Sequence, residues 1–397
     1  MKDKSFTRRE FINAAGVGVT GLALSTPFEA RATVAHATRE LLVYVGTYTQ
    51  GRSEGVYLLR LSLASGELKL VGSTHGVVNP SYLTLDVRRR FLYAVNEVEE
   101  FAGRKSGAVS AFAVDQRTGA LRFLNQQPSR GGAPCYVTAD GSGRFVLVAN
   151  YVGGNVAVLP VLKDGTLGAA TDVKQHQGSG ANRERQEGPH AHCIVLDRAN
   201  RYAYSCDLGT DKVMVYRFDA RGGRLTPNEP PAAPMPPGAG PRHLTFHPGG
   251  KFAYVLNELN STVTAFAQDR ARGTLKELQT IGTLPAGFAG ANTAADIHAT
   301  PDGRFLYCSN RGHDSIAAFG VDATTGGLRP IGHTPTAGKT PRNFAIDPTG
   351  TYLLAANQNS DTIVTFRIDP PTGTLQPTGH TAEVPSPVCL KLTTPFS

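Results

Sequence analysis

The chain has 397 residues, 40% of them hydrophobic and 18% charged. That is a globular balance, and 44 glycines with 26 prolines make it turn-rich without making it low-complexity. The formal charge of +8 drops to +6 once residues 1–32 are set aside. No basic run interleaved with aromatics occurs, so nucleic acid is not an expected partner and a small anionic substrate is. Five cysteines, at positions 135, 193, 206, 308 and 389, are odd in number and lack C-x-x-C spacing, which argues against a zinc ribbon or a disulfide framework.

The N-terminus reads "SFTRREFINAAGVGVTGLAL", with Arg8 and Arg9 ahead of a mildly hydrophobic run that ends near Leu24. This is the pattern of a twin-arginine export signal, and small-x-small cleavage sites follow after Ala32 or Ala37. Residues 1–37 are therefore assigned to the signal and 38–397 to a single domain destined for the periplasm. The run is too short and too glycine-rich to span a membrane, so no stable insertion is expected after signal removal. Gly16-Val-Gly18-Val-Thr-Gly21 fits a dinucleotide-binding spacing, but it lacks the preceding strand and the βαβ context that give this motif meaning.

Beyond the signal the chain repeats itself. Six segments, among them "PSYLTLDVRRRFLYAVNE", "AHCIVLDRANRYAYSCDL" and "PRNFAIDPTGTYLLAANQ", share an opening strand, a Gly turn and an aromatic-led strand that ends in Asn or Asp. The strand-end residues Asn96, Asn150, Asp207, Asn257, Asn310 and Asn357 recur every 47 to 57 residues. Each unit continues with an alternating strand such as "GAVSAFAVD", the half-buried strand pattern, and then a "TGxL" turn before its last strand. Four short strands per unit at this period predict a β-propeller. Ahead of the first unit lie three strands that lack an innermost partner, and "SPVCLKL" at 386–392 supplies one. Six units plus this composite one predict an all-β, seven-bladed propeller of four-stranded blades, closed by its C-terminal strand and without an open edge.

The segments "GPHAH", "GPRHLTFHPGGKFAYVLNELNSTV", "AADIH", "SNRGHDSIAAF" and "KTPRNFAIDPTGTYLLAANQNSDTIVTF" resemble the signature segments of the seven-bladed propeller lactonase family over about residues 41 to 393. That family includes a 6-phosphogluconolactonase and, more distantly, a fungal carboxymuconate-lactonizing enzyme. The resemblance implies hydrolysis of a sugar-acid lactone without a metal or other cofactor; a monomer is expected, though the sequence leaves the oligomeric state open.

Repeat register places the start of each innermost strand beside the end of the next strand, at one mouth of the central channel. Just after the opening proline or alanine come Ser81, Cys135, His192, Arg242, Ala295 and Arg342, and one residue on come Tyr82, Tyr136, Cys193, His243, Asp296 and Asn343. After the strand-end Asn or Asp come Glu97, Tyr151, Leu208, Glu258, Arg311 and Gln358. Ionisable residues crowd into units three to six. The strand-end Asn and Asp read as turn caps, His247 as a turn residue, and Arg90, Arg144, Arg201 and Arg304 as solvated.

No G-x-S-x-G, H-E-x-x-H or P-loop occurs, so a base-activated water is the expected nucleophile for a lactone, with cationic donors at the developing oxyanion. The expected catalytic residues are His192 or Glu258 as base, with Arg242 and Arg342 at the oxyanion. His190, His243, Asp296, His298, Arg311 and Asn343 are the expected substrate contacts, Arg311 as an anion anchor. A zinc site built from His190, His192 and Asp207, residue types that zinc accepts, is the competing reading, and a lone H-x-H is weak evidence for it. Lactonization of a carboxymuconate-type diacid, and a noncatalytic binding propeller, are the alternative functions.

Overall fold

The computed structural model describes residues 40–395, and the export-signal assignment lies outside them. Seven four-stranded antiparallel sheets are arranged as blades. Blade 1 is composite: its strands Glu40–Thr47, Val56–Ser62 and Leu68–Thr74 are joined on the inside by the C-terminal strand Pro387–Thr393. Blades 2 to 7 follow in chain order and correspond to the six sequence units. Their innermost strands are Leu83–Leu85, Pro134–Ala139, Ala191–Leu196, Pro241–Phe246, Thr293–Ala299 and Pro341–Ile346. Among the described residues the helical content is one 3-10 turn, Gln358–Ser360.

Burial grades across each blade. Second strands such as Phe145–Asn150 and Phe252–Asn257 are buried along their whole length, because a neighbouring blade covers each face. Outermost strands alternate, as in Leu375–Glu383. The half-buried expectation holds for the third strand Lys212–Asp219 of blade 4, where burial alternates, but not for that of blade 2. Ala108, Val109, Ser110, Ala111 and Phe112 are all fully buried, so the alternation there is one of size, with small residues making room for the adjacent sheet.

The "TGxL" turn proves to be a fastening between blades. Its glycine carbonyl accepts a hydrogen bond from a tyrosine on the second strand, counted from the channel, of the preceding blade: Tyr44 to Gly119 (2.7 Å), Tyr93 to Gly165 (3.2 Å), Tyr204 to Gly273 (2.9 Å), Tyr254 to Gly326 (3.2 Å) and Tyr307 to Gly373 (2.8 Å). Only glycine suits the position. Gly373 has φ +73°, and a Cβ there would lie 2.4 Å from the Phe305 ring.

The strand-end amides also act between segments and do not simply cap their own turns. Asn96, Asn150, Asn310 and Asn357 donate from Nδ2 to Val78, Ser129, Thr283 and Thr336 carbonyls, which lie in the connectors entering each blade from the previous one. These connectors form the mouth toward which the ionisable residues converge.

Candidate active site

The innermost strands do not pair uninterrupted with their neighbours. In blades 3, 4, 5 and 7 the register shifts between Pro134 and Tyr136, Ala191 and Cys193, Pro241 and His243, and Pro341 and Asn343. The residue skipped each time is Cys135, His192, Arg242 or Arg342. A β-bulge leaves that residue without a cross-strand partner and re-aims its side chain. Blade 6 shifts between Ala294 and Ile297, which frees Ala295 and Asp296.

Glu258, buried, is the electrostatic centre of the mouth. Arg185 Nη2 donates to its Oε1 at 2.8 Å, while Arg242 Nε and Arg311 Nη2 each lie 3.0 Å from Oε2. Burial pushes this carboxyl up, but Arg311, Arg242 and Arg185 outweigh it and hold it at about 2. Glu258 is thus an ionised counter-ion with little basicity. Arg311 is lowered to about 9 by burial and by the nearby Arg242 and Arg342, and stays cationic at neutral pH.

Arg342 differs from its neighbours. It stacks over the Tyr48 ring at 5.4 Å, and among the described residues no carboxylate lies within ion-pair distance of it. Tyr48 itself donates to Glu97 at 3.0 Å, and Ser81 shares that carboxylate. His192 is buried, with Nδ1 3.7 Å from the Cys135 sulfur. No described protein group is hydrogen-bonded to its Nε2. Burial, followed by Arg242, His243 and Arg342, lowers its imidazole well below the ordinary value, so the ring is neutral at pH 7.

One layer deeper, side chains close the channel. Asp296 is buried and accepts from His243 Nδ1 at 2.7 Å, from His298 Nε2 at 3.0 Å and from Asn343 Nδ2. Opposite, Tyr82 and Tyr136 stack at 4.1 Å, and both meet the His243 ring edge-on. His243 is lowered to about 4 by burial and Arg242 against the pull of Asp296. With Nδ1–H given to Asp296, its neutral Nε2 accepts from Arg242 Nη1 at 3.2 Å. A cavity of about 190 Å³ lies on the side of this layer lined by His298, Thr245 and Phe246.

The expected residues therefore divide. His192, Arg242, Glu258, Arg311 and Arg342 gather at the mouth. His243, Asp296 and Asn343 form its floor, with His298 below. His190 is a wall, stacked on Tyr151 at 4.5 Å and bonded through Nε2 to Glu187. Asp207 does not join His190 and His192 as a ligand set: its oxygens accept from buried His176 Nδ1 (2.6 Å) and from the His190, Gly209 and Thr210 amides. His247 sits in its turn, accepting from the Gly249 amide. Arg90, Arg144, Arg201 and Arg304 are exposed, each over the aromatic ring that follows it.

Arg185, Tyr48 and the pairing role of Tyr151 were not foreseen. Arg185 lies in a connector outside the repeat, so register carried no information about it; the unusual length of that connector was the available signal.

The model of the family described as "Lactonase, 7-bladed beta-propeller" matches residues 42–392. The chain belongs to the seven-bladed β-propeller lactonase family. A 6-phosphogluconolactonase from Bacillus subtilis is 39% identical over 304 residues, covering 77% of this chain and 84% of that protein. One from Formosa agariphila is 35% identical over 77% and 86%. Among solved structures, the periplasmic gluconolactonase of Pseudomonas aeruginosa has a TM-score of 0.85 at 38% identity, covering 90% of this chain and 99% of that one. This family member is a lactone hydrolase.

Proposed function

We propose that the enzyme hydrolyses a sugar-acid lactone carrying an anionic group, in the manner of a 6-phosphogluconolactonase. The observation that carries this is the set of guanidiniums at the mouth: Arg185, Arg242 and Arg311 share Glu258, while Arg342 has no carboxylate within ion-pair distance among the described residues, beside the unpartnered Nε2 of a neutral His192. A site with an unpaired guanidinium above a buried floor suits an anion that enters with its own charge.

His192 acts as base. Its Nε2 takes a proton from water as the water oxygen bonds to the lactone carbonyl carbon. Arg242 and Arg342 donate hydrogen bonds to the oxygen that becomes negative, and Arg242 is aimed by His243, which Asp296 orients. When the ring C–O bond breaks, His192 returns the proton to the leaving alkoxide, and the product acid ionises. Glu258 serves as the anchor for Arg185, Arg242 and Arg311.

A substrate without phosphate is a second reading, favoured by the Arg8-Arg9 signal pattern and by a periplasmic gluconolactonase among the relatives. Both point to residence in the periplasm. The test is turnover of 6-phosphogluconolactone and glucono-δ-lactone by the wild-type, His192→Gln and Arg342→Ala proteins. Loss of one proton-transfer partner should lower kcat by about 10²–10⁴-fold in His192→Gln, and Arg342→Ala should lower kcat/KM by about 10²-fold or more. Unchanged rates in a folded His192→Gln protein would remove it as the base; no turnover of either lactone by wild type would remove the substrate assignment.

A further inference from the structure

The connector from the outermost strand of blade 3 to the innermost strand of blade 4 runs over 176–190, fifteen residues, whereas the other six junctions of this kind use three to ten. It is built, not slack. Gln186 is fully buried and donates to the Leu208 carbonyl and to Asp211 Oδ1, both at 2.7 Å. Its Oε1 accepts from the Asn182 amide at 2.8 Å, and Asn182 Oδ1 accepts from the Arg185 amide at 3.2 Å. Asp211 is in turn fixed by the Gly238 and Gly240 amides. Beside this clamp, Arg185 crosses the mouth to Glu258 on blade 5, resting on the Tyr151 hydroxyl at 3.2 Å on the way.

Three guanidiniums converge on Glu258, but they differ in freedom. The side chains of Arg242 and Arg311 are 3% and 13% exposed, and both belong to blade strands; that of Arg185 is 39% exposed and hangs from the connector. Arg185 is the one that can exchange its carboxylate partner for an incoming anion without uncovering a buried charge. Glu258 keeps two cations when it does so.

We propose that Arg185 determines specificity: it leaves Glu258 to bind the anionic group that the substrate carries away from the lactone carbonyl, and segment 176–190 is the strap that presents it. This rests on the hydrolase assignment above for its substrate but not for its binding site. A bidentate guanidinium contact with phosphate, formed equally in substrate and transition state, lowers KM and leaves kcat unchanged.

Two measurements test it. In steady-state kinetics, Arg185→Ala should raise KM for 6-phosphogluconolactone about 10- to 100-fold with kcat within about threefold, while KM for glucono-δ-lactone changes less than about twofold; Arg185→Lys should recover part of the loss, since a point cation remains. Calorimetric binding of 6-phosphogluconate and gluconate reads the same residue without turnover, and the wild-type preference for the phosphorylated acid should collapse in Arg185→Ala. Equal losses on both ligands, or none on either, overturn the role of Arg185 and leave the lactonase assignment standing. If wild type turns over neither lactone but its phosphate preference depends on Arg185, the strap stands and the substrate assignment falls.

Discussion

Asp296 illustrates how much one buried carboxylate can organise. It holds two histidines and an asparagine from three blades, and its carboxyl is well below the usual range because the donors of His298 and His243 outweigh its burial. The His243 imidazole that it holds is equally dependent on the fold. His243, lowered from 6.5 to about 4, binds its proton less tightly folded than unfolded, so its contribution to stability is complete above pH 6.5 and is lost as pH falls toward 4. Glu258, held at about 2, loses its contribution further down, as pH falls below the ordinary carboxylate value. Denaturant titrations should therefore show stability falling from pH 6.5 to pH 4, with His243 accounting for ~1.4 kcal/mol per pH unit. The His243→Asn protein should show a slope shallower by that amount; the wild-type slope in that variant would mean the folded imidazole is already protonated.

The elements that matter most are small irregularities and turns. Bulges at Cys135, His192, Arg242 and Arg342 turn what would be ladder residues into channel residues, and they do so at the same place in four blades. The tyrosine-to-glycine fastening is the second device. Tyr307→Phe removes a buried donor and leaves the Gly373 carbonyl unpaired, which should destabilise by about 1–3 kcal/mol. Gly373→Ala should destabilise more, because a left-handed backbone angle strains any side chain and the added methyl meets Phe305. Equilibrium unfolding of the two variants checks the order; a Tyr307→Phe protein as stable as wild type would show that water replaces the fastening.

At the scale of the molecule, closure decides. The strand Pro387–Thr393 is the innermost of blade 1, and it also feeds the channel floor: the Leu83 amide donates to the Cys389 sulfur, and the Leu390 amide to Asn343 Oδ1. Without it, blade 1 exposes the ladder edge of Glu40–Thr47 and the channel loses one wall. Leu390→Ala, at a site 2% exposed, should destabilise by about 2–5 kcal/mol. Truncation after Glu383 should abolish cooperative thermal unfolding, measured by calorimetry; a truncated protein with the wild-type transition would show that six blades and an open seventh suffice.

The linear chain by itself determined the propeller, the number of blades, the composite closure and the ring positions, because each follows from periodicity, and a repeated unit must bury the same faces every time. It also brought His192, Arg242 and Arg342 into one register, since departures from a repeat are visible against it. The division of labour among these residues was decided only in three dimensions. Glu258 became a counter-ion because guanidiniums from three separate segments converge on it, and His243 and Asn343 became floor because Asp296 reaches both of them from another blade. Arg185 belongs to no repeat, and what it touches depends on where a clamped fifteen-residue strap carries it. Pattern records which face a residue occupies; the charge a side chain feels, and so its chemistry, depends on neighbours that come from elsewhere in the sequence.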